Sequence, residues 1–379
     1  MKVSEFDFEL PADLIAQHPP ERRDASRMLV CLPPLGGGDK HISDFPSFLR
    51  PGDVVVFNNS RVIPARFDAV AADGAKYEIT LHTKVACHPK PHSGEGWWGL
   101  TKKFQKINIG DILTLDDGTR VIVRDKNDES GWLIECVLPP TGIKDADSPQ
   151  GGSYSENSVF DVLDRVGKMP LPPYMKRGEE SADRERYQTV YAQPLGSMAA
   201  PTAGLHFTPE LLQRITATGA QIVNITLHVG AGTWMPIKTD DTDGHKMHSE
   251  FGVITPAQAE IINNAKRVIA IGTTSLRLLE SAAQIAPPRR PLGDTPLSRG
   301  GDRVTSFNGT TDIFITPGYK FCAVDVLLTN FHLPKSTLFM LVSAFAGLPE
   351  MRAAYAHAVA EKYRFFSYGD CCLLFRKPV

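Results

Sequence analysis

The chain lacks most of the features that would class it at a glance. No apolar run approaches the ~20 residues of a membrane-spanning helix. The most apolar stretch, Leu338 to Leu348, reads LFMLVSAFAGL and predicts a buried helix. The opening residues, MKVSEFDFELPADLIAQHPPERR, scatter charges where a secretory signal holds an apolar core. Cysteine is scarce, with six in 379 residues and no CxxC pair, and adjacent Cys371 and Cys372 are poor disulfide partners. A reduced, cytoplasmic protein is expected. Charge of one sign is also missing: 41 Lys and Arg face 43 Asp and Glu, for a net charge of -2. That excludes a bulk basic nucleic-acid binder and leaves room for a local basic groove. There is no internal repeat. What is present is ordinary for a globular protein, 42% hydrophobic and 22% charged. The length allows two or three domains at ~150 residues each.

Within residues 1–65 the pattern predicts a short helix over 11–17 and a strand over 53–57, which ends in Asn58-Asn59-Ser60-Arg61. The texture then changes. Residues 77–85, 112–115, 119–124 and 132–137 alternate or run β-branched, with turn signals at Asp117-Gly118 and Ser130-Gly131. Strands without helices predict a small antiparallel β-barrel domain over 66–155, inserted into an α/β domain made of 1–65 and 156–379. After residue 159 strands and helices alternate. Strands are expected at 221–229, 267–272, 323–329 and 371–375, and helices at 208–217, 255 onward, 275–285, 336–345 and 349–364. The expected fold class is therefore α/β, a mostly parallel sheet with helices on its faces. Polar loops at 145–158 and 287–303 interrupt it. The second has four arginines, open to phosphate contact or to plain solvation.

Chemistry gathers just past the predicted strand ends. His228, Gly230 and Gly232 follow one strand, and Thr273, Thr274 and Arg277 a second. Asn330 and His332 follow a third, and Asn58, Asn59 and Arg61 a fourth. Open α/β sheets bind ligands at such ends, so convergence on one crevice is expected. Thr202, Gly204 and His206 precede a helix N-terminus, where glycine permits close approach of a ligand. The segment HVGAGT lacks the third glycine of a dinucleotide fingerprint and no helix follows, which excludes that reading. His248 and Glu250 would share one face of a strand, as an acid–base pair or a structural hydrogen bond. Their spacing with His245 fits no common zinc pattern. Cys87, His88 and His92 invite a metal reading, but prolines surround them. The run KYRFFSYGD (362–370) interleaves cations and aromatics, for base stacking or as core and rim. Lys102, Lys103, Lys106, Lys168, Lys176 and Arg177 are open to phosphate contact or solvation.

Nine segments in order then resemble one family, the S-adenosylmethionine:tRNA ribosyltransferase-isomerases of queuosine biosynthesis. They are FNNSRVIPAR (57–66), GKMPLPPYMKR (167–177), DRERYQTVYA (183–192), APTAGLHFT (200–208), TLHVGAGTWMPI (226–237), HKMHSE (245–250), VIAIGTTSLRLLES (268–281), VDVLLTNFHLPKSTLFMLVSAFAG (324–347) and EKYRFFSYGD (361–370). The resemblance runs nearly end to end, apart from the two polar loops. It implies a transferase and isomerase that moves the ribosyl part of S-adenosylmethionine onto the aminomethyl group of 7-aminomethyl-7-deazaguanine. That base stands at the wobble position of tRNA. The implied product is epoxyqueuosine, with adenine and methionine released. S-adenosylmethionine is then a co-substrate, with no resident cofactor and no metal. The expected partner is the anticodon region of tRNA. A monomer with no membrane and no obligate protein partner is expected.

Such chemistry starts at the 5′ carbon that the sulfonium acidifies. It needs a base of tuned pKa, an acid for departing adenine, and polar groups for the ribose hydroxyls. The acid–base candidates are His206, His228, His248 and His332, with Glu250 as orienter or base. Thr202, Gly204, Gly230, Gly232, Thr273, Thr274 and Asn330 are the cofactor-contact candidates. Arg61, Arg277 and Arg364 are the candidates for tRNA phosphate or a carboxylate. Two rivals stand beside this reading: a tRNA methyltransferase using the same donor, and a non-catalytic RNA-binding protein with a β-barrel module.

Overall fold

The computed structural model describes residues 1–32, 36–85, 96–101, 106–126, 131–137, 159–230, 237, 239–286 and 302–377. It divides into two compact units. The first comprises Met1–Arg61, Pro172–Gly178 and Glu185–Val379; the second comprises Val62–Leu171 and Glu179–Arg184.

In chain order the first unit opens with β1 (Arg27–Leu32), β2 (Gly36–His41) and β3 (Asp53–Asn58). The two-residue β4 (Arg61–Val62) belongs to neither main sheet. The second unit then holds β5 (Arg66–Ala71), β6 (Lys76–Val85), β7 (Gly96–Leu100), β8 (Ile112–Leu115), β9 (Arg120–Lys126), β10 (Gly131–Val137) and helix α1 (Val159–Val166). A one-turn helix, α2 (Asp183–Arg186), and β11 (Leu195–Ser197) follow. The rest alternates: α3 (Pro209–Ala217), β12 (Gln221–Leu227), β13 (Glu250–Ile254), α4 (Pro256–Asn263), β14 (Arg267–Ile271), α5 (Thr273–Gln284), β15 (Phe307–Thr311), β16 (Val326–Asn330), α6 (Thr337–Ala346), α7 (Leu348–Ala360) and β17 (Cys371–Phe375).

The first unit is built on a nine-stranded sheet in the order β15-β13-β12-β3-β14-β16-β17-β1-β2. Its heart, β12-β3-β14-β16, is parallel. The flanks pair antiparallel, except for a parallel β1–β17 contact. The sheet is thus mixed. Every residue of β3, DVVVFN, is buried, as a β-branched run in a two-faced strand should be. Successive side chains serve opposite faces: Val54 and Val56 enter one core cluster, Val55 and Phe57 the other. The helices start where side-chain caps stand ready. Thr208 caps α3, Thr255 with Gln258 closes a capping box on α4, and Ser336 caps α6.

The segment expected to be helical at 11–17 is one 3-10 turn, Ala12–Leu14. The backbone is drawn out instead: Phe365 N–H donates to Leu14 O at 2.8 Å and Ala16 N–H to Phe365 O at 3.2 Å. Pairing with a distant strand-like segment replaces a helix too short to sustain itself.

The second unit contains a closed antiparallel barrel, β10-β7-β6-β5-β8-β9. Trp132 and Tyr77 meet edge to face inside it at 5.9 Å, among Phe67, Ile79, Leu113 and Val121. This unit extends beyond the expected 66–155, because α1 belongs to it. Val159, Val162 and Leu163 form its buried face, and Phe160 sets its ring against Trp97 of β7 at 5.9 Å.

Candidate active site

The parallel heart of the sheet sends the carboxyl ends of β14 and β16 to one side, and a cleft opens there. Its volume is about 760 Å³, open mouth included. Gly272, Thr273 and Thr274 come from the β14–α5 junction, and Thr329, Asn330 and His332 from the end of β16. Ala199 to Ala203, Val229, Tyr174, Tyr187, Phe366 and Ser367 complete the walls.

Three local features define its chemistry. The first is a helix start without a cap. Gly272 stands at φ +85° and ψ 153°, a region open essentially to glycine alone, and no side chain caps α5. Among the described residues nothing accepts the N–H of Thr273 or Thr274, and the buried Thr274 Oγ1 is also unpartnered. The Tyr187 hydroxyl, in a fully buried side chain on the same cleft, lacks an aligned hydrogen bond. Such donors suit an acceptor-rich or anionic group.

The second is an aromatic wall. Tyr174 and Phe366 stack with centroids 4.4 Å apart, and the Tyr174 hydroxyl is hydrogen-bonded to Ser367 Oγ. Phe366 has φ +72°, a costly conformation for a bulky residue. It is held there by its N–H to Phe331 O at 3.2 Å and by Asn330 Nδ2 donating to its carbonyl at 2.8 Å. Asn330 Nδ2 also donates to Ser367 O at 3.3 Å.

The third is a pair of histidines in different roles. His332 lines the cleft; its Nε2 lies 3.1 Å from Thr329 Oγ1, and its N–H donates to the Tyr355 hydroxyl at 2.9 Å. Burial lowers its pKa to about 3, so the imidazole is neutral near pH 7. His206 is buried behind the cleft, with Nδ1 3.0 Å from Ser26 Oγ and Nε2 3.1 Å from Asn330 Oδ1. The amide nitrogen of Asn330 is turned to Phe366, so Oδ1 can only accept. Nε2 therefore carries the proton and Nδ1 accepts from Ser26. Burial lowers the His206 pKa to about 4, against smaller opposing effects of Asn330 and Asp370.

Of the residues singled out from sequence, Thr202, Thr273, Thr274, Asn330 and His332 meet in this cleft. The other described candidates do not line it. His206 supports Asn330. His228 packs its Nδ1 2.7 Å from Ser60 Oγ, which in turn accepts from Ser197 Oγ at 2.6 Å. Burial lowers its pKa, and only its neighbour Val229 reaches the cleft. Asn58 and Asn59 brace the β3–β12 junction rather than a ligand, through Leu227 and Thr226. Gly204 is fixed by packing, because a Cβ there would sit 2.1 Å from the Tyr191 hydroxyl. Gly232, Cys87, His88, His92, Lys102 and Lys103 lie outside the described residues, as do residues 145–158 and 287–301.

Two expectations are corrected outright. Glu250 and Arg277 form a buried ion pair, with side chains 4% and 5% exposed. Arg277 Nε also donates to Ile313 O at 3.3 Å, and Glu250 Oε1 accepts Gly230 N–H at 3.0 Å. A guanidinium so enclosed is turned inward rather than toward tRNA phosphate, and the carboxylate is taken up by Arg277 and Gly230 as a structural pair. His248 does not share a strand face with Glu250: β13 begins at Glu250, and His248 is exposed before it. Arg61 is exposed, and Arg364 lies 3.8 Å from Asp370. Arg303, from the arginine-bearing loop, is buried against Asp325 at 2.6 Å. Lys168 pairs with Asp68 at 2.6 Å.

Sequence reasoning missed Tyr174, Tyr187, Phe366 and Ser367 as cleft walls. They stand in three separate segments, and only the aromatic texture of 362–370 hinted at one of them. Among the described residues no cluster of three or more His, Cys, Asp or Glu is placed to hold a metal, and no helix is long and apolar enough to cross a membrane.

A mixed α/β sheet with a strand-end cleft, joined in sequence to a small β-barrel, defines a class of two-unit α/β protein whose cleft is lined by aromatic and polar side chains. The family described as queuosine biosynthesis protein matches residues 3–374, and the chain belongs to that family. A curated relative from Parvibaculum lavamentivorans, named S-adenosylmethionine:tRNA ribosyltransferase-isomerase, is 46% identical over 387 residues, covering 99% of both chains. One of the same name from Caulobacter vibrioides is 45% identical over 401 residues, again covering 99% of each. A crystal structure of S-adenosylmethionine tRNA ribosyltransferase from Thermotoga maritima is 31% identical, with a TM-score of 0.50 over 98% of this chain and 99% of that one.

Proposed function

We propose that the protein is an S-adenosylmethionine:tRNA ribosyltransferase-isomerase. It transfers and isomerises the ribosyl part of S-adenosylmethionine onto the aminomethyl group of 7-aminomethyl-7-deazaguanine. The target base stands at the wobble position of tRNA, the products are epoxyqueuosine-tRNA, adenine and methionine, and the enzyme works in the cytoplasm. Full-length identity of 46% to a relative of that name supports the reaction class. The observation that carries the site is the cleft: one wall offers stacked aromatics, another offers uncapped N–H groups and threonine hydroxyls, and a neutral histidine stands between.

On this reading the Tyr174–Phe366 wall stacks a purine-like ring. The α5 N-terminus and the hydroxyls of Thr202, Thr273 and Thr274 hold ribose oxygens and the methionyl carboxylate. Asn330, gripped by His206, keeps that wall in place. His332 is the acid–base residue: its neutral imidazole accepts a proton and hands it on within the cleft.

The test incubates the protein with S-adenosylmethionine and tRNA bearing the aminomethyl base, then digests the tRNA for nucleoside mass spectrometry. The expected result is the added ribosyl-derived mass, with adenine and methionine in the supernatant. S-adenosylhomocysteine instead would mean methyl transfer. Tight tRNA binding with no product would mean a non-catalytic binder.

A further inference from the structure

His206 also lines a second, smaller recess, together with Pro19, Pro20, Leu205 and Tyr368. Arg23 and Arg186 both line it. Their forks are held from behind by main-chain carbonyls. Arg23 donates to Leu205 O at 3.3 Å and Glu185 O at 2.9 Å. Arg186 donates to Glu21 O at 3.0 Å and to Pro20 O.

Among the described residues neither guanidinium forms an ion pair with a carboxylate. By contrast, Arg267 pairs with Asp53, Arg277 with Glu250 and Arg303 with Asp325. Even exposed Arg22 next door pairs with Asp24 at 3.0 Å. The two charges are close enough to disfavour one another. After burial, the presence of Arg186 is the largest influence lowering the Arg23 pKa, and Glu185 only partly offsets it. Arg186 Nε is buried and has no acceptor among the described residues. Two half-buried like charges without a counter-ion cost free energy unless an anion completes them. Planar guanidinium forks match phosphate, and backbone carbonyls preorganise these two. Ser367 lines both this recess and the cleft, so an anion seated here is one side chain away from the reacting base.

We propose that Arg23 and Arg186 form a pocket for a tRNA phosphodiester, which seats the RNA backbone beside the catalytic cleft. The inference rests on the tRNA-modifying activity proposed above. The two residues position the substrate and take no part in bond making.

The test measures tRNA affinity against salt, and adenine release against both substrates, for the wild type, Arg23→Gln and Arg186→Gln. Each substitution should weaken tRNA binding about tenfold near 0.1 M salt. Each should flatten the slope of log K against log salt by about 0.7–0.9 per lost phosphate contact, with the KM for S-adenosylmethionine unchanged. A second arm needs no variant to fold. Anticodon stem-loops carrying one neutral methylphosphonate linkage each are titrated with wild-type protein. One linkage near the target base should weaken binding about tenfold, and should cost nothing further in a folded Arg186→Gln protein. The pocket is overturned if no single linkage matters, or if both variants keep the wild-type slope. A rise in the KM for S-adenosylmethionine alone overturns it too, since the pair would then hold the methionyl carboxylate. Failure of the wild type to modify tRNA at all would sink the activity rather than the pocket.

Discussion

At the scale of single residues, the two buried histidines divide the work. His332 has open cleft beside it, whereas both ring nitrogens of His206 are engaged. A His332→Ala protein should bind S-adenosylmethionine with near-normal affinity but release adenine about 10²–10⁴-fold more slowly. Single-turnover chromatography measures this, and full turnover would remove His332 from the mechanism. His206 makes a different prediction. An unfolded histidine takes its proton near 6.5, whereas this one takes it only near 4. The unfolded chain therefore binds more protons between those values, and stability falls as pH drops through that window. Between pH 7 and pH 5 the loss from this one group is about 2 kcal/mol. Urea unfolding at the two pH values should give a smaller difference for His206→Gln by about that amount. An unchanged difference would mean that the imidazole is not buried in its neutral form.

At the scale of elements, the β14–α5 junction and the β13–α5 ion pair both anchor the N-terminal half of one helix. Gly272 has room for a methyl group, with Ala203 Cβ no nearer than 3.5 Å, so its constraint is the backbone angle alone. Gly272→Ala should cost about 1–3 kcal/mol and raise the KM for S-adenosylmethionine, because the uncapped N–H groups shift. Thermal melts with substrate titration check both parts. Further along α5, Arg277→Met should cost about 3–5 kcal/mol by stranding Glu250 in the core. The double change Arg277→Met with Glu250→Gln should recover much of that loss in the same melts. Much of this level was legible in the sequence. The buried runs of β3, β14 and β16, the Thr208-Pro209 start of α3 and the Thr255 capping box are local patterns, and local patterns write themselves into sequence. The ion pair was not legible, because Glu250 and Arg277 meet only once β13 and α5 have packed. The strands β1 and β2 were missed for a related reason. β1 finds its sheet partner only in β17, more than 300 residues later, and the glycine-rich β2 becomes the sheet edge by pairing with β1. The same holds for the site: Thr273, Thr274, Asn330 and His332 sit at strand ends that sequence can locate, while Tyr174 and Phe366 become one wall only through tertiary contact.

At the scale of the whole molecule, a net charge of -2 has to be reconciled with a polyanionic substrate. Most enclosed cations of the first unit are already neutralised internally, by Asp53, Glu250, Asp325 and Asp370. Among the described residues the cations open to RNA include the Arg23–Arg186 pair and exposed Arg61. Affinity must then come chiefly from the cleft's hold on one modified base, with phosphate contacts setting register. Each neutralised phosphate contributes about 0.7–0.9 to the salt slope, so two to four contacts give a log–log slope between about -1.4 and -3.6. Filter binding of tRNA between about 0.05 and 0.3 M salt measures it. Unmodified tRNA should show nearly the same slope at much weaker affinity, because the base contact it lacks is uncharged in its salt response. A slope near -10 would instead require many phosphates, and hence a broad basic face beyond the Arg23–Arg186 pair.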